Sequence, residues 1–244
     1  GGLGVRHRGV AQGQLPDLDE LIGQFLALCA MELDDAGPVG VDDGLVEAAF
    51  GRAWDAVVAT AEGRDAAMEH VRATMGQSKI DVFRGLGDED TAQAMNAAFE
   101  GAFRALIEEG RCEPIPGAED AIRSLKSKGL AIAFTTGFSH DTADLIIESL
   151  GWVGLADVVL TPDDAGRGRP APDLPLTALL RTGTSSVAAM VVVGDTESDA
   201  ASGRAAGAGL VVGVLTGGRD EERLREAGAD LVLASVAELP AALA

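Results

Sequence analysis

Val191-Val-Val-Gly194-Asp195-Thr196-Glu197-Ser198-Asp199 reads as the end of a buried strand running straight into a helix. The apolar run extends back to Val187, and a helical pattern follows over about 199–206. Such a run, bounded by glycine and an acid, fits a strand covered on both faces. The same alternation recurs outward from it. Leu130-Ala-Ile-Ala-Phe134, Asp157-Val-Val-Leu160, Gly209 to Val214 and Leu231-Val-Leu233 are short apolar runs, and helical patterns lie at about 118–128, 141–150, 172–182 and 219–227. Strands alternating with helices predict parallel pairing through right-handed crossovers, an open α/β sheet. Asp195 and Asp199 are expected four apart on one face of a helix start.

Upstream, a strand is expected at about 25–33. Residues 44–110 show helical spacing throughout, in Phe50, Trp54, Met68, Val71, Phe83, Met95, Phe99 and Phe103. The predicted organisation is an N-terminal extension at 1–24, a first strand and loop at 25–42, a helical insert at 43–111 and the α/β remainder at 112–244. Ligands in open parallel sheets bind beyond the carboxyl ends of the strands, so the insert is expected to lie over that edge.

The chain has 244 residues with 39 acidic and 19 basic side chains, a net charge of −20. Such a surplus repels phosphate backbones and anionic headgroups, so no nucleic acid and no membrane is expected as partner. Two cysteines without a CxxC pair predict neither a disulfide framework nor structural zinc, and no leader or spanning segment is legible. A cytoplasmic protein is the expectation from these features.

Four segments at strand ends carry chemistry: Asp34-Asp35-Ala36-Gly37-Pro38-Val39, Thr135-Thr136-Gly137-Phe138, Gly168-Arg169-Pro170, and the Asp195–Asp199 stretch. Singly, each is an ordinary turn, helix cap or loop cation. Together, carboxylates from the first and fourth can hold Mg²⁺, which takes one or two carboxylates plus substrate oxygens and water. Mg²⁺ and Arg169 would give a phosphoryl group local positive charge within an acidic molecule. Asp34 could then attack phosphorus in line to form an aspartyl phosphate, while Thr136 and backbone N–H groups near Ala36 and Gly37 hold the other oxygens.

Over roughly residues 25–244 this arrangement resembles the haloacid dehalogenase-like superfamily of phosphotransferases. The resemblance implies a Rossmann-like open parallel sheet with an inserted all-helical cap. It makes Asp34 the nucleophile, Thr136 the phosphate-binding hydroxyl (with Gly137 beside it) and Arg169 the basic residue. It makes Asp195 a direct metal ligand and Asp199 more often an outer one, with Asp34 and the Ala36 carbonyl completing the metal set. Ala36 stands where most phosphatases of the superfamily carry a proton-donating Asp, and this is similar to the phosphonatase branch. Met75-Gly76-Gln77-Ser78-Lys79 resembles that branch's Met-Gly-x-x-Lys motif. Lys79 would then form a Schiff base in the cleavage of a small phosphonate, with Met75 near the substrate.

The chain departs from the branch in several places. Phe138 replaces a tyrosine and Val82 a histidine, both proton-handling groups there, and Pro38-Val39 replaces Thr-Thr. Glu32 in a buried strand and Asp35 beside Asp34 have no physical account from sequence. Asp35 as nucleophile stays open, as do a phosphatase of a small phosphate ester and a catalytically weakened relative. A cap helix could also serve a homodimer contact. His70 and His140 show no acid at ligand spacing, Cys29 and Trp54 read as packing, Asp42-Asp43 as a hinge or cap, and Thr216-Gly217-Gly218 as a turn near the cleft at best.

Overall fold

The computed structural model describes residues 28–33, 43–58 and 60–244. Asp34, Asp35, Ala36, Gly37, Pro38, Val39, Asp42 and the extension at 1–24 therefore lie outside the described residues, as does the side chain of Glu32. Six strands form one sheet: β1 (Leu28–Glu32), β2 (Ala131–Thr135), β3 (Val158–Leu160), β4 (Met190–Gly194), β5 (Leu210–Val214) and β6 (Leu231–Leu233). Their order is β3-β2-β1-β4-β5-β6, and every pair is parallel. The strand order reverses direction at β1, so the crevice beside its carboxyl end is where such a sheet binds ligands.

Alternate residues of each strand feed two apolar layers. Met31, Phe134, Val193 and Val212 belong to one buried cluster, while Ala133, Val192 and Val211 belong to another. Helices α5 (Ala118–Ser127) and α6 (His140–Ser149) cover the first face through Ile122 and Ile146. The second face is covered by α8 (Asp173–Thr182), α9 (Glu197–Ala206) and α10 (Glu221–Ala227), through Leu174, Ala200 and Leu224. The one-turn helices α7 (Pro162–Ala165) and α11 (Leu239–Ala242) complete the set. Burial on both faces is the physical reason that the strands are continuously apolar and not alternating.

Between β1 and α5, the described residues hold four helices and no strand: α1 (Asp43–Val57), α2 (Arg64–Ala73), α3 (Lys79–Arg84) and α4 (Glu89–Glu108). Their apolar stripes meet in an aromatic cluster. The Phe50 ring lies 4.7 Å from Phe99 and 4.9 Å from Phe83, and Phe99 stacks on Phe103 at 5.7 Å. Phe138, at the exit of β2, closes the cluster from the sheet side, 4.9 Å from Phe103 and 6.1 Å from Phe99. The helical segment is thereby seated over the carboxyl edge of the sheet.

Two element expectations need correction. Val187–Ala189 is a 3₁₀ turn and not the start of β4, because the Ser186 hydroxyl accepts the Ala188 N–H and pairing with β1 begins only at Met190. Helix α9 begins at Glu197 with Thr196 as its N-cap, so Asp195 lies before the helix and does not share its face with Asp199.

Phe99 is fully buried at the centre of the aromatic cluster. Phe99→Ala is expected to cost about 3–5 kcal/mol, read as a lower urea midpoint in equilibrium unfolding.

Candidate active site

The carboxyl ends of β1, β2 and β4 lie side by side. The register sets Met31 beside both Phe134 and Val193, and the Leu33 N–H donates to the Thr135 carbonyl at 2.9 Å. Whatever follows each strand is thus delivered to one edge. After β2, Thr136 is buried; its N–H donates to the Leu160 carbonyl at 3.0 Å and its hydroxyl accepts the Phe138 N–H at 3.0 Å. The hydroxyl therefore tightens the turn that presents Gly137 and Phe138.

After β4, Asp195 is buried against the backbone of Gly217. A Cβ at Gly217 would stand 1.8 Å from the Asp195 Oδ2 atom, so only glycine fits there. The Thr216-Gly217-Gly218 turn is accordingly part of the wall around this carboxylate. The signal available in sequence was a Gly pair directly after an apolar strand, where close backbone approach is common.

Asp199 has both oxygens engaged. Its Oδ2 accepts from the Thr196 N–H at 2.9 Å and hydroxyl at 2.6 Å, a reciprocal capping box. Its Oδ1 pairs with Arg169 Nη1, and the two side chains are each only 3% exposed. Burial pushes the Arg169 guanidinium below its ordinary value, while the charges of Asp199 and Asp195 oppose that fall. Asp199 thus serves the β4–α9 turn and the Arg169 loop, and its engaged oxygens suit it poorly to ligating a metal directly.

Lys79 is 4% exposed, and its Nζ stands 4.5 Å over the centre of the Phe138 ring. This is the geometry of a cation over an aromatic face. A lysine so enclosed is not a solvated side chain at a helix start. Phe138 and Val82, which replace tyrosine and histidine of the branch, are both buried as packing.

The segment before Lys79 docks on three core loops at once. The Lys79 N–H donates to the Gly137 carbonyl at 3.2 Å. Gly76, at φ +87°, lies so close to Thr196 that an added Cβ would stand 2.4 Å from its Oγ1, and Ser78 packs against Gly168. Arg219 adds a further tie, donating to the Arg72 carbonyl at 2.9 Å.

Lys79, Gly137 and Arg169 line one cavity of about 1040 Å³, which Ser78, Phe138 and Asn96 also line. Met75 is half-buried against the apolar cluster instead. Thr136, Asp195 and Asp199 are buried and are not among the described residues lining the cavity. Asp34, Ala36 and Gly37 lie outside the described residues. His140 has an acidic neighbour that its sequence context did not reveal: its Nε2 is 2.9 Å from Asp164 Oδ2, across a turn that only the fold closes.

The family description "Haloacid dehalogenase-like hydrolase" matches residues 49–212. The chain belongs to that family. A phosphonoacetaldehyde hydrolase of Bacillus cereus is 34% identical over 156 residues, 62% of this chain and 58% of that protein's length. A hydrolase from Pseudomonas syringae superimposes with a TM-score of 0.75 at 24% identity, covering 88% of this chain and 95% of that one. A phosphonoacetaldehyde hydrolase like protein from Oleispira antarctica superimposes with a TM-score of 0.77 at 20% identity, covering 91% and 92%. Identities this low speak for the fold alone.

Among the described residues no group of three or more His, Cys, Asp or Glu side chains is placed to hold a metal ion. No helix among them is long and apolar enough to cross a membrane.

Asp199→Asn would remove the carboxylate charge that pairs with the buried Arg169 Nη1, and a loss of up to about 3–5 kcal/mol is expected, read by thermal and urea unfolding. Gly76→Ala forces a Cβ onto Thr196 at a left-handed φ. It is expected to lift the segment at 75–79 from the core, read as faster amide exchange there with the sheet unchanged.

Proposed function

We propose that this chain is a Mg²⁺-dependent hydrolase of a small, carbonyl-bearing phosphonate, working through an aspartyl phosphate on Asp34 and an imine on Lys79. The observation that carries the reading is the placement of Lys79: buried, tied to Gly137 and facing the cavity that Arg169 shares. A lysine exposed to bulk solvent on the helical segment would have favoured a phosphate ester.

The metal proposal is compatible with the donors at hand. Asp195 is a buried carboxylate at the end of a central strand, walled by the glycine backbone of residue 217, and oxygen donors suit a hard cation. Asp195 would hold Mg²⁺ together with Asp34 and the Ala36 carbonyl. The bound cation would supply positive charge against the phosphonate oxygens and reduce their repulsion of an attacking carboxylate.

The remaining chemistry belongs to the chain. Lys79 gives its proton to cavity water, its amine adds to the substrate carbonyl carbon, and with that proton returned water leaves to give a protonated imine. Asp34 attacks phosphorus, the carbon–phosphorus bond breaks, and its electron pair moves into the imine to give an enamine. Protonation and hydrolysis release the aldehyde or ketone and restore Lys79, while water cleaves the aspartyl phosphate to phosphate. Ala36 is consistent with this, because a carbon leaving group stabilised by an imine needs no acid at that position. Thr136 and Arg169 would orient the phosphoryl group. The four helices over the strand ends act in this reading as a cap that keeps bulk water from the imine.

Borohydride added during turnover of phosphonoacetaldehyde is expected to trap a covalent adduct on Lys79, located by peptide mass spectrometry. Lys79→Ala is expected to lose about 100-fold or more of phosphate release. Unchanged release from Lys79→Ala, or faster turnover of simple phosphate esters than of the phosphonate, would overturn the reading.

A further inference from the structure

Ser78 stands at the N-cap of α3, a position where a serine hydroxyl ordinarily accepts a backbone N–H from the first turn. Here it makes no such bond, and no hydrogen bond of its hydroxyl is found among the described residues. The side chain is nonetheless only 5% exposed, and it lines the large cavity directly beside Lys79. The serine is thus nine-tenths buried and adjacent to the candidate nucleophile, and its hydroxyl, released from the capping task, is left to the cavity.

The other hydroxyls on this wall are committed. Ser139 Oγ donates to Thr142 Oγ1 at 3.2 Å, so that pair is self-satisfied. Meanwhile the two positions where the phosphonatase branch carries proton-handling groups are occupied by Phe138 and Val82, both buried in packing. Carbinolamine formation nevertheless needs a donor: as an amine adds to a carbonyl carbon, the oxygen becomes an alkoxide and the nitrogen must lose a proton.

We infer that Ser78 is a further catalytic residue, whose hydroxyl hydrogen-bonds the substrate's carbonyl oxygen and relays the proton during imine formation. The inference rests on the Lys79 reading. In the step, the Lys79 nitrogen lone pair forms the new bond to carbon and the carbonyl π pair moves to oxygen. The Ser78 hydroxyl gives its proton to that oxygen and accepts one from the nitrogen, leaving a neutral carbinolamine and an unchanged serine. The proton that the Lys79 ammonium gave to cavity water on becoming an amine then returns through Ser78 to the carbinolamine oxygen, which departs as water and leaves the protonated imine. The ligand recognised is thus an aldehyde or ketone oxygen one carbon removed from the phosphonate. The docking of Ser78 against Gly168 holds the hydroxyl beside the loop that carries Arg169, so the two ends of a small substrate meet neighbouring residues.

The test compares wild type, Ser78→Ala and Ser78→Cys with phosphonoacetaldehyde. Two rates are measured for each: borohydride-trapped adduct in rapid quench, and phosphorylation of the chain by acetyl phosphate. Because Ser78 makes no capping bond, thermal midpoints of the variants are expected to stay at the wild-type value. Ser78→Ala is expected to slow adduct formation by roughly 10²-fold, with KM moved far less than kcat. Ser78→Cys should fall between, and acetyl phosphate labelling should be unchanged in both. Adduct formation by Ser78→Ala within twofold of wild type would overturn the role of Ser78 while leaving Lys79 in place. Absence of any adduct in wild type would overturn both.

Discussion

Asp199 is the point on which the arrangement at the sheet edge depends. One carboxylate oxygen closes the capping box that starts α9, and the other neutralises Arg169 in a place water does not reach. Removing one carboxylate from a buried guanidinium is costly, even where a second charge, that of Asp195, also acts on it. The same box fixes Thr196, and Thr196 is the surface on which Gly76 rests. The position of Lys79 is therefore set by a chain of contacts that begins in the core and not in the helix that carries it. The buried ion pair ties two loops of the α/β core together, and the contact of Thr196 with Gly76 carries that order to the helical segment.

The aromatic cluster does the corresponding work on the other side of the cavity. Phe138 leaves β2 into a cluster with Phe99 and Phe103, and its remaining face lies under the Lys79 amine. A tyrosine there would bring a hydroxyl that needs a partner, whereas phenylalanine completes the packing without one. Phe138 and Val82 are buried as packing, and the polar wall of the cavity comes from Ser78-Lys79, from the loop holding Arg169 and from helix residues such as Asn96 and Glu100. Within a protein of net charge −20, Lys79 and Arg169 set two basic side chains on the wall of this cavity.

The sheet was legible because its central strands β4 and β5 are buried throughout and therefore continuously apolar, and the turns between strands and helices carry glycine and acids at fixed places. The four-helix segment was legible for a similar reason, since Phe50, Phe83, Phe99 and Phe103 recur at helical spacing and do meet. The expectation that Asp195 shares a helix face with Asp199 failed because the box between Thr196 and Asp199 starts α9 only after Asp195. The partners were not legible in the pairing of His140 with Asp164 or in the contact of Gly217 with Asp195, where the Gly pair signalled only a close approach, since each joins residues that only a crossover brings together.

Sequence alone determined the α/β alternation, the helical insertion and the residue types gathered at the strand ends, because periodicity and turn chemistry are local properties of the chain. Only tertiary structure decided that Arg169 belongs to Asp199 and that Gly76 must be a glycine. It likewise decided that Lys79 is buried over an aromatic ring beside an uncommitted serine hydroxyl. Those facts depend on which groups exclude water from one another, and that is decided by the packing of distant segments, not by their order in the chain.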